Sequence, residues 1–517
     1  MSNQKTKVVG IDLGTTFSAI AHVNEMGKPE IIANKESERI TPSVILFDSP
    51  EEITVGSVAR QNAVAEPNKI VEFVKREMGK GLDEYSREFF GKQYSAETLS
   101  AMILKKLKND AEERLGISIK DAVITVPAYF NDRQREATKN AGRIAGFNVL
   151  QILNEPTTAA LSFGINELGR NQNVFVFDLG GGTFDVTVMK IEEKSIQMIA
   201  TNGDHMLGGK DWDDKIIKYV ASVFEEKYGK NPTDDPQVYQ DIQTKAIQAK
   251  HNLTNKSETK IVCSYEGNFE TISLTREKFE ELTQNLVARC RSLTELVMET
   301  DAKMTWNDIG TVLLVGGSTR MPMIKKMLQE LSGKILSEEV NPDEAVALGA
   351  AIQATLIDAK EKGEKPIIVD RTGKSIGPME VGNITSHTLG ITATVEGKLR
   401  VCPVIPKFTK VPCEIIDDTF QTSSDNQSSL QTDVMEGESS IPDECTKLGE
   451  VVISDLPPGL PKGTIVVVTF KFDESSILHV SAEVAGKKES AKIEAEGILT
   501  EEQVNAEAQY MQKVNVG

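Results

Sequence analysis

Gly10-Ile11-Asp12-Leu13-Gly14-Thr15-Thr16 recurs further along the chain as Phe177-Asp178-Leu179-Gly180-Gly181-Gly182-Thr183. Each copy is an apolar strand, an Asp, a glycine-rich tight turn and then Thr. Glycine lets backbone N–H groups approach phosphate oxygens with no Cβ in the way. Thr15, Thr16 and Thr183 add hydroxyl donors. An Asp at the strand end cannot face phosphate directly, because both are anionic. It becomes useful when Mg2+ lies between them, mostly through water. Taken singly, such a turn is an ordinary hairpin. Two copies in register point to like subdomains that face each other and clamp one di- or triphosphate in the cleft between them.

Working outward, Val8-Val9-Gly10-Ile11, Ala122-Val123-Ile124-Thr125-Val126, Val174-Phe175-Val176-Phe177 and Val312-Leu313-Leu314-Val315 have the continuous apolar character of buried strands. Helical patterns lie between them. Asn131 is a good N-cap for a helix to Ala145, with Ala137, Ala141 and Ile144 on one face. A second helix opens at Glu155-Pro156, with Pro at its first position, and is expected to end near Gly169. Strands and helices in alternation make an α/β domain over the first 360 or so residues. Val315-Gly316-Gly317-Ser318-Thr319-Arg320 suits backbone passing beneath a ribose or adenine, with Arg320 on the base. On pattern alone a plain β–α turn fits it equally well. The chain has no G-x-x-x-x-G-K-[ST] loop and no G-x-G-x-x-G after a strand.

After about Leu356 the composition shifts. Lys360 to Lys365 is charged, Pro366-Ile367-Ile368-Val369-Asp370 is a short apolar island, and 371–385 is turn-rich. From Leu389 to Glu494 short strands alternate with turns at Gly397-Lys398, Asp425-Asn426 and Pro457-Pro458-Gly459. Ile465–Phe470 and Ile477–Ser481 are strong strand candidates. An all-β domain therefore follows the α/β domain. Thr500 with Gln503 is a capping box that starts a helix. The expected divisions are 1–362, a linker at 363–386, a β domain at 387–497, and the start of a truncated helical segment at 498–517.

Among the 517 residues, Lys+Arg is 58 and Asp+Glu is 77, a formal net charge of −19. That balance argues against nucleic acid or anionic lipid as the main partner, because a phosphate-tracking surface needs concentrated positive charge. Five widely spaced cysteines without a C-x-x-C pair argue against a disulfide scaffold or a structural zinc site. No signal-peptide pattern and no long apolar run appears, so a cytoplasmic location is expected.

These residues together resemble the actin, sugar-kinase and heat-shock chaperone superfamily, and within it the seventy-kilodalton heat-shock chaperones. Ile124-Thr125-Val126-Pro127-Ala128-Tyr129-Phe130-Asn131-Asp132, Asn154-Glu155-Pro156-Thr157, Asn202-Gly203-Asp204, Leu207-Gly208-Gly209 and Asn341-Pro342-Asp343-Glu344-Ala345 extend the likeness. So do Ser424-Asp425-Asn426-Gln427-Ser428 and Ile477-Leu478-His479-Val480-Ser481-Ala482 in the β region. The resemblance implies an actin-like two-lobed ATPase domain of duplicated βββαβα subdomains, then an all-β sandwich that binds extended peptide. It implies ATP/ADP with Mg2+, and K+ as an optional further ion. The metal residues, mostly through water, would be Asp12, Asp178 and Asp185. Gly14, Thr15, Thr16, Gly180, Gly181, Gly182 and Thr183 would hold phosphates. Lys75 would orient the attacking water, with Glu155 beside it; on pattern alone Lys75 is a solvated helix charge. Lys250, Thr254, Gly316, Gly317, Ser318, Arg320 and Asp343 would form the adenosine site. Pro127, Arg135 and the linker's Asp370 would relay the nucleotide state. Ile391, Thr394, Phe420, Ser423 and Leu430 would line the peptide groove, although the apolar ones suit a sandwich core equally well. Unfolded or extended peptides, a J-domain co-chaperone and a nucleotide-exchange factor are the implied partners.

The chain departs from that pattern in places. Phe17 replaces a polar residue, Ile247 a nucleoside-bonding Glu, and Gln151 an Arg that contacts J-domains; His251 is also variant. The stretch between Gly79 and Ser95 is short, the Leu-rich linker is replaced at Pro366–Asp370, and Thr394 and Ser423 make the groove's arch polar. A groove without a full helical lid should exchange peptide quickly. An ATPase dedicated to one protein partner, a small-molecule kinase of the same fold, and a filament-forming relative remain open at this level.

Overall fold

The computed structural model describes residues 7–165, 171–337, 340–473, 478–490 and 498–517. The expected helix end near Gly169, the strand start at Ile477 and the division at 497 lie outside those residues.

The duplication seen in the sequence is built as two sheets of like topology. In the first, Lys7–Asp12 runs parallel to Ile119–Val126, which runs parallel to Asn148–Asn154, while Phe17–Val23 and Pro29–Ile31 add antiparallel on the other side. In the second, Gln172–Leu179 is parallel to Ile309–Val315, and Phe184–Ile191 and Ser195–Asp204 add antiparallel. Asp12 is the last residue of its central strand and Asp178 the last but one of the other, so both glycine turns leave the same ends of their sheets. Val9, Ile11, Val174, Val176 and Phe177 are fully buried, which explains why these strands read as unbroken apolar runs.

Two helices, Glu155–Gly164 and Ala345–Lys362, pack against each other and join the lobes. A Cβ on Gly349 would meet the Thr158 carbonyl at 1.8 Å, so only glycine permits this approach. Helix Asp132–Ile144 starts at the Asn131 cap with a reciprocal bond to Gln134, and Ala137, Ala141 and Ile144 are buried as the periodicity required. The short 79–95 segment holds the hairpin Arg87–Phe89/Lys92–Tyr94.

The sandwich consists of Lys398–Ile405, Leu389–Val395, Leu430–Glu436 and Thr446–Ile453 facing Cys413–Gln421, Ile465–Phe472, Leu478–Val484 and Lys487–Ser490. Its core includes Ile391, Val434, Val451, Val468 and Phe470.

Residues 363–386 are not a bare tether. Ile368–Val369 pairs with Ser375–Ile376, and Ile368 is fully buried. Glu380–Ile384 then adds parallel to the edge strand Ser195–Asp204 of the second lobe. The apolar island at Pro366–Asp370 thus packs into the lobes, and the strand that runs on into the sandwich begins ten residues beyond Asp370.

The tail also departs from the expected truncated helix. Helix Glu501–Lys513 forms behind its Thr500–Gln503 capping box. It is followed by Asn515–Val516, which adds parallel to Glu52–Val55 of the first lobe. Leu499, Val504, Met511, Val514 and Val516 join the first lobe's own hydrophobic core. Among the described residues no helix is long and apolar enough to cross a membrane.

Candidate functional site

The two glycine hairpins meet across the cleft. A Cβ on Gly181 would sit 2.3 Å from Thr16 Oγ1, and one on Gly182 would sit 2.4 Å from Thr15 Oγ1. Glycine at both positions is what lets the walls close to this distance. Below them opens a cavity of about 480 Å3. It is lined by Asp12, Gly14, Thr15, Thr16, Lys75, Glu155, Asp178, Gly180, Gly181 and Thr183, and on its far side by Lys250, Thr254, Gly316, Gly317, Ser318, Arg320 and Asp343. Gly182 and Asp185 sit behind this lining, against Thr15 and Tyr129 respectively. Residues spread over most of the first lobes of the sequence thus converge on one pocket of nucleotide size.

Lys75 is 5% exposed and ion-paired with Glu155. The expectation from pattern alone, a solvated helix charge, is therefore overturned. Phe73 produces the change: its φ of 61° is left-handed and turns the chain so that Lys75 and Arg76 enter the cleft. Such a backbone costs a non-glycine residue about 1–3 kcal/mol and persists only where its surroundings hold it.

Asp12, Asp178, Asp185 and Glu155 crowd around this lysine. Burial, followed by the Glu155 charge, pushes Asp12 and Asp185 up to about 7 and Asp178 well above its ordinary value. Carboxyl groups raised together in this way mark a place where a divalent cation would be welcome. Among the described residues no three His, Cys, Asp or Glu side chains converge closely enough to ligate an ion directly. A cation held through water fits both facts.

The far side of the cavity is braced by internal bonds. Ser318 Oγ donates to the Gly180 carbonyl at 2.8 Å, tying this turn to the second hairpin. Gly316 has φ 80°, and a Cβ there would meet the Leu179 carbonyl at 2.4 Å. Arg320 donates to Asp343 Oδ2 at 2.6 Å, and Lys250 donates to the Gly209 carbonyl and to Asp213. Phe17, Ile247 and His251 also line the cavity, with the Arg60 guanidinium 5.1 Å from the Phe17 ring centroid.

Sequence reasoning assigned no role to Arg76 or Glu72. Arg76 reaches across the cleft, donating to the Gly182 carbonyl at 2.9 Å and pairing with Asp211. Glu72 Oε2 accepts from Gln240 at 2.9 Å and from Gln243 at 2.8 Å, a bridge between the lobes at the cleft mouth. Arg76 follows Lys75 directly in the chain, but spacing cannot say which way either side chain turns.

Pro127 begins the turn 127–130, which connects the cleft with the sandwich. Asp185 Oδ1 accepts the Tyr129 N–H at 3.0 Å. Ser386 Oγ donates to the Ala128 carbonyl, and His387 lies edge-on to the Tyr129 ring at 4.4 Å. Arg135 fixes the turn through the Phe130 and Ala128 carbonyls and Asn154 Oδ1. Asp370 is elsewhere, in a surface turn where its carboxylate accepts the Thr372 and Lys374 N–H groups. In the sandwich, Ile391, Phe420 and Leu430 share one core, while Thr394 and Ser423 are exposed.

The family profile described as "Hsp70 protein" matches residues 8–516. The chain belongs to the Hsp70 family. It is 42% identical over 516 residues to the chaperone protein DnaK of Thermosipho melanesiensis, covering 98% of this chain and 83% of the relative. It is 41% identical, with the same coverage, to the chaperone protein DnaK of Thermosipho africanus and to that of Thermotoga maritima. The protein is accordingly an ATP-dependent chaperone and an ATPase, with an actin-like ATPase domain followed by a β-sandwich. The kinase and filament alternatives are not favoured.

Proposed function

We propose that ATP is hydrolysed in the cleft between the glycine hairpins, and that residues 387–490 bind extended peptide under control of the bound nucleotide. The observation that carries this is the buried Lys75–Glu155 pair, set between two hairpins in contact. Thr15, Thr16, Gly181, Gly182 and Thr183 hold the phosphates. Asp12, Asp178 and Asp185 hold the waters of Mg2+, which when bound neutralises charge on the phosphates. Lys75 faces the terminal phosphate, and Glu155 keeps the ammonium group aimed and accepts a hydrogen bond from the attacking water. Phosphoryl transfer to water needs little more than such positioning and charge stabilisation. Lys250, Thr254, Gly316, Gly317, Ser318, Arg320 and Asp343 enclose the nucleoside.

Pro127 and Arg135 carry the state of the cleft to the sandwich through Tyr129, Ser386 and His387. Glu380–Ile384, rather than Asp370, is the strand whose pairing changes with docking. A ligand shifts such an equilibrium only through contacts that differ between the states. Ile391, Phe420 and Leu430 supply the apolar floor of the peptide groove, and Thr394 and Ser423 its polar rim. A J-domain co-chaperone meets an uncharged surface at Gln151, whose Oε1 accepts the Gln353 amide at 2.8 Å.

The test is single-turnover ATP hydrolysis with and without an extended apolar peptide, repeated with Lys75→Ala. Slow turnover, stimulation by peptide, and a loss of about 10²–10³-fold in the variant with nucleotide binding retained are expected. Transfer of the phosphoryl group to a small acceptor would instead favour a kinase.

A further inference from the structure

Beside the Ser386 and His387 contacts, the Glu436 carboxylate of the sandwich lies against the start of a first-lobe helix that carries Asp132. The N-terminus of helix Asp132–Ile144 points at the end of strand Leu430–Glu436, and the Asp132 N–H donates to Glu436 Oε2 at 3.4 Å. Glu436 is 9% exposed. A cavity of about 30 Å3, room for a water molecule, adjoins them and is lined in part by Arg135, His387 and Phe472. Arg135 lines the same cavity, but its Nε and Nη2 donate to Phe130, Ala128 and Asn154. It acts on the carboxyl groups only through space.

Charges of both signs surround the contact. Asp132 faces Glu136, Lys139 and Arg135 on its own helix and Asp473 from the sandwich, and it shares an open pocket with Arg133, Glu414, Lys471, His479 and Lys488. Glu436 faces Asp132, Arg135 and Glu438. His387, on the same interface, faces Glu438, Lys407 and Arg135 and touches the Tyr129 carbonyl. A carboxylate as buried as Glu436, with the Asp132 charge near it, is not ionised cheaply.

We propose that docking of the sandwich on the first lobe takes up a proton where the Glu436 carboxyl group is buried against the start of helix Asp132–Ile144, so that interdomain coupling in this chain is set by pH. This rests on the proposal that residues 387–490 dock and release.

The direction follows from the groups themselves. Burial, then the Glu136 charge on its own helix, pushes Asp132 up to about 7, and burial, then the Asp132 charge, pushes Glu436 up to about 8. Released into water, both return toward ordinary carboxyl values, so the docked form binds more protons and loses ground as pH rises through those values. Burial pushes His387 down to about 4, which works the other way below its ordinary value of 6.5. Between about pH 6.5 and 8 these two carboxyl groups set the sign of the interface's own contribution, at up to about tenfold in the docking equilibrium per pH unit for one proton.

The experiment uses the full chain with one fluorophore on each domain, ATP against ADP, at pH 6.5 to 8. The wild type should dock less as pH rises. Titration of ATP in buffers of different ionisation enthalpy should show more proton uptake, or less release, in the wild type than in the variants that follow. Glu436→Gln keeps an acceptor for the Asp132 N–H and removes the need for the proton. It should dock with a flatter pH profile and take up less proton, and Asp132→Asn should do the same. Carboxylates of the nucleotide cleft titrate equally in all three proteins and cancel in the differences. A pH-independent wild type, or variants with the wild-type profile and proton uptake, would overturn the proposal alone. If ATP changed the interdomain distance at no pH, the docking reading and this proposal would both fall.

Discussion

Met511 offers a sharp test of how firmly the tail belongs to the first lobe. Its side chain is 2% exposed, in the same core as Leu104 and Tyr94. Around it Lys105 donates to the Met511 and Val514 carbonyls, Asn109 donates to the Val516 carbonyl at 3.1 Å, and the Tyr94 and Tyr510 hydroxyls bond at 2.9 Å. The Leu499 N–H is accepted by Glu97 at 2.9 Å, and Asn515–Val516 pairs with Glu52–Ile53. Met511→Ala removes a buried side chain, which costs about 2–5 kcal/mol. If the tail opens as a unit, that whole cost appears in its local opening. At about 1.4 kcal/mol per decade, amide exchange should then accelerate by about 30- to 4,000-fold. The amides to follow are Asn515, bonded to Glu51, Gly517, bonded to Ile53, and Val55, bonded to Gly517. Native-state hydrogen exchange read by mass spectrometry measures all three at once. Exchange already fast in the wild type, or unchanged in Met511→Ala, would refute the view that the tail is part of the lobe's core.

Other perturbations follow from the cleft. Gly181→Ala puts a methyl group where Thr16 Oγ1 stands 2.3 Å away, so the hairpins must part; ATP affinity by calorimetry should fall about tenfold or more. Because Asp12 and Asp185 are raised to about 7, Mg2+-dependent ATP binding should strengthen as pH rises from 6 to 8 and then level off. The same two groups destabilise the nucleotide-free fold as pH rises from ordinary carboxyl values toward 7, since the folded form holds their protons longer. Thermal unfolding with and without MgATP across that range should therefore show the largest stabilisation by ligand at the alkaline end.

The local chemistry was legible in the residues themselves. The repeated Asp–Gly–Thr turns, the Asn131 cap and the Thr500–Gln503 box are short-range patterns whose meaning depends on backbone geometry a few residues long. They therefore survive folding unchanged, and the family resemblance carried the rest of the cleft. Direction and distance were not legible. Whether Lys75 faces water or a carboxylate depends on the left-handed turn at Phe73 and on a Glu155 80 residues away. The apolar island at Pro366–Asp370 looked like a linker because apolar character does not say what will cover it, and the edge of the second sheet was reserved for Glu380–Ile384. The Asp132–Glu436 contact, 304 residues apart, exists only because the sandwich sits against the first lobe. Sequence sets which groups a chain can offer and the turns that hold them locally; only packing settles which of them lose their water and to which neighbour, and burial is what gives those groups their chemistry.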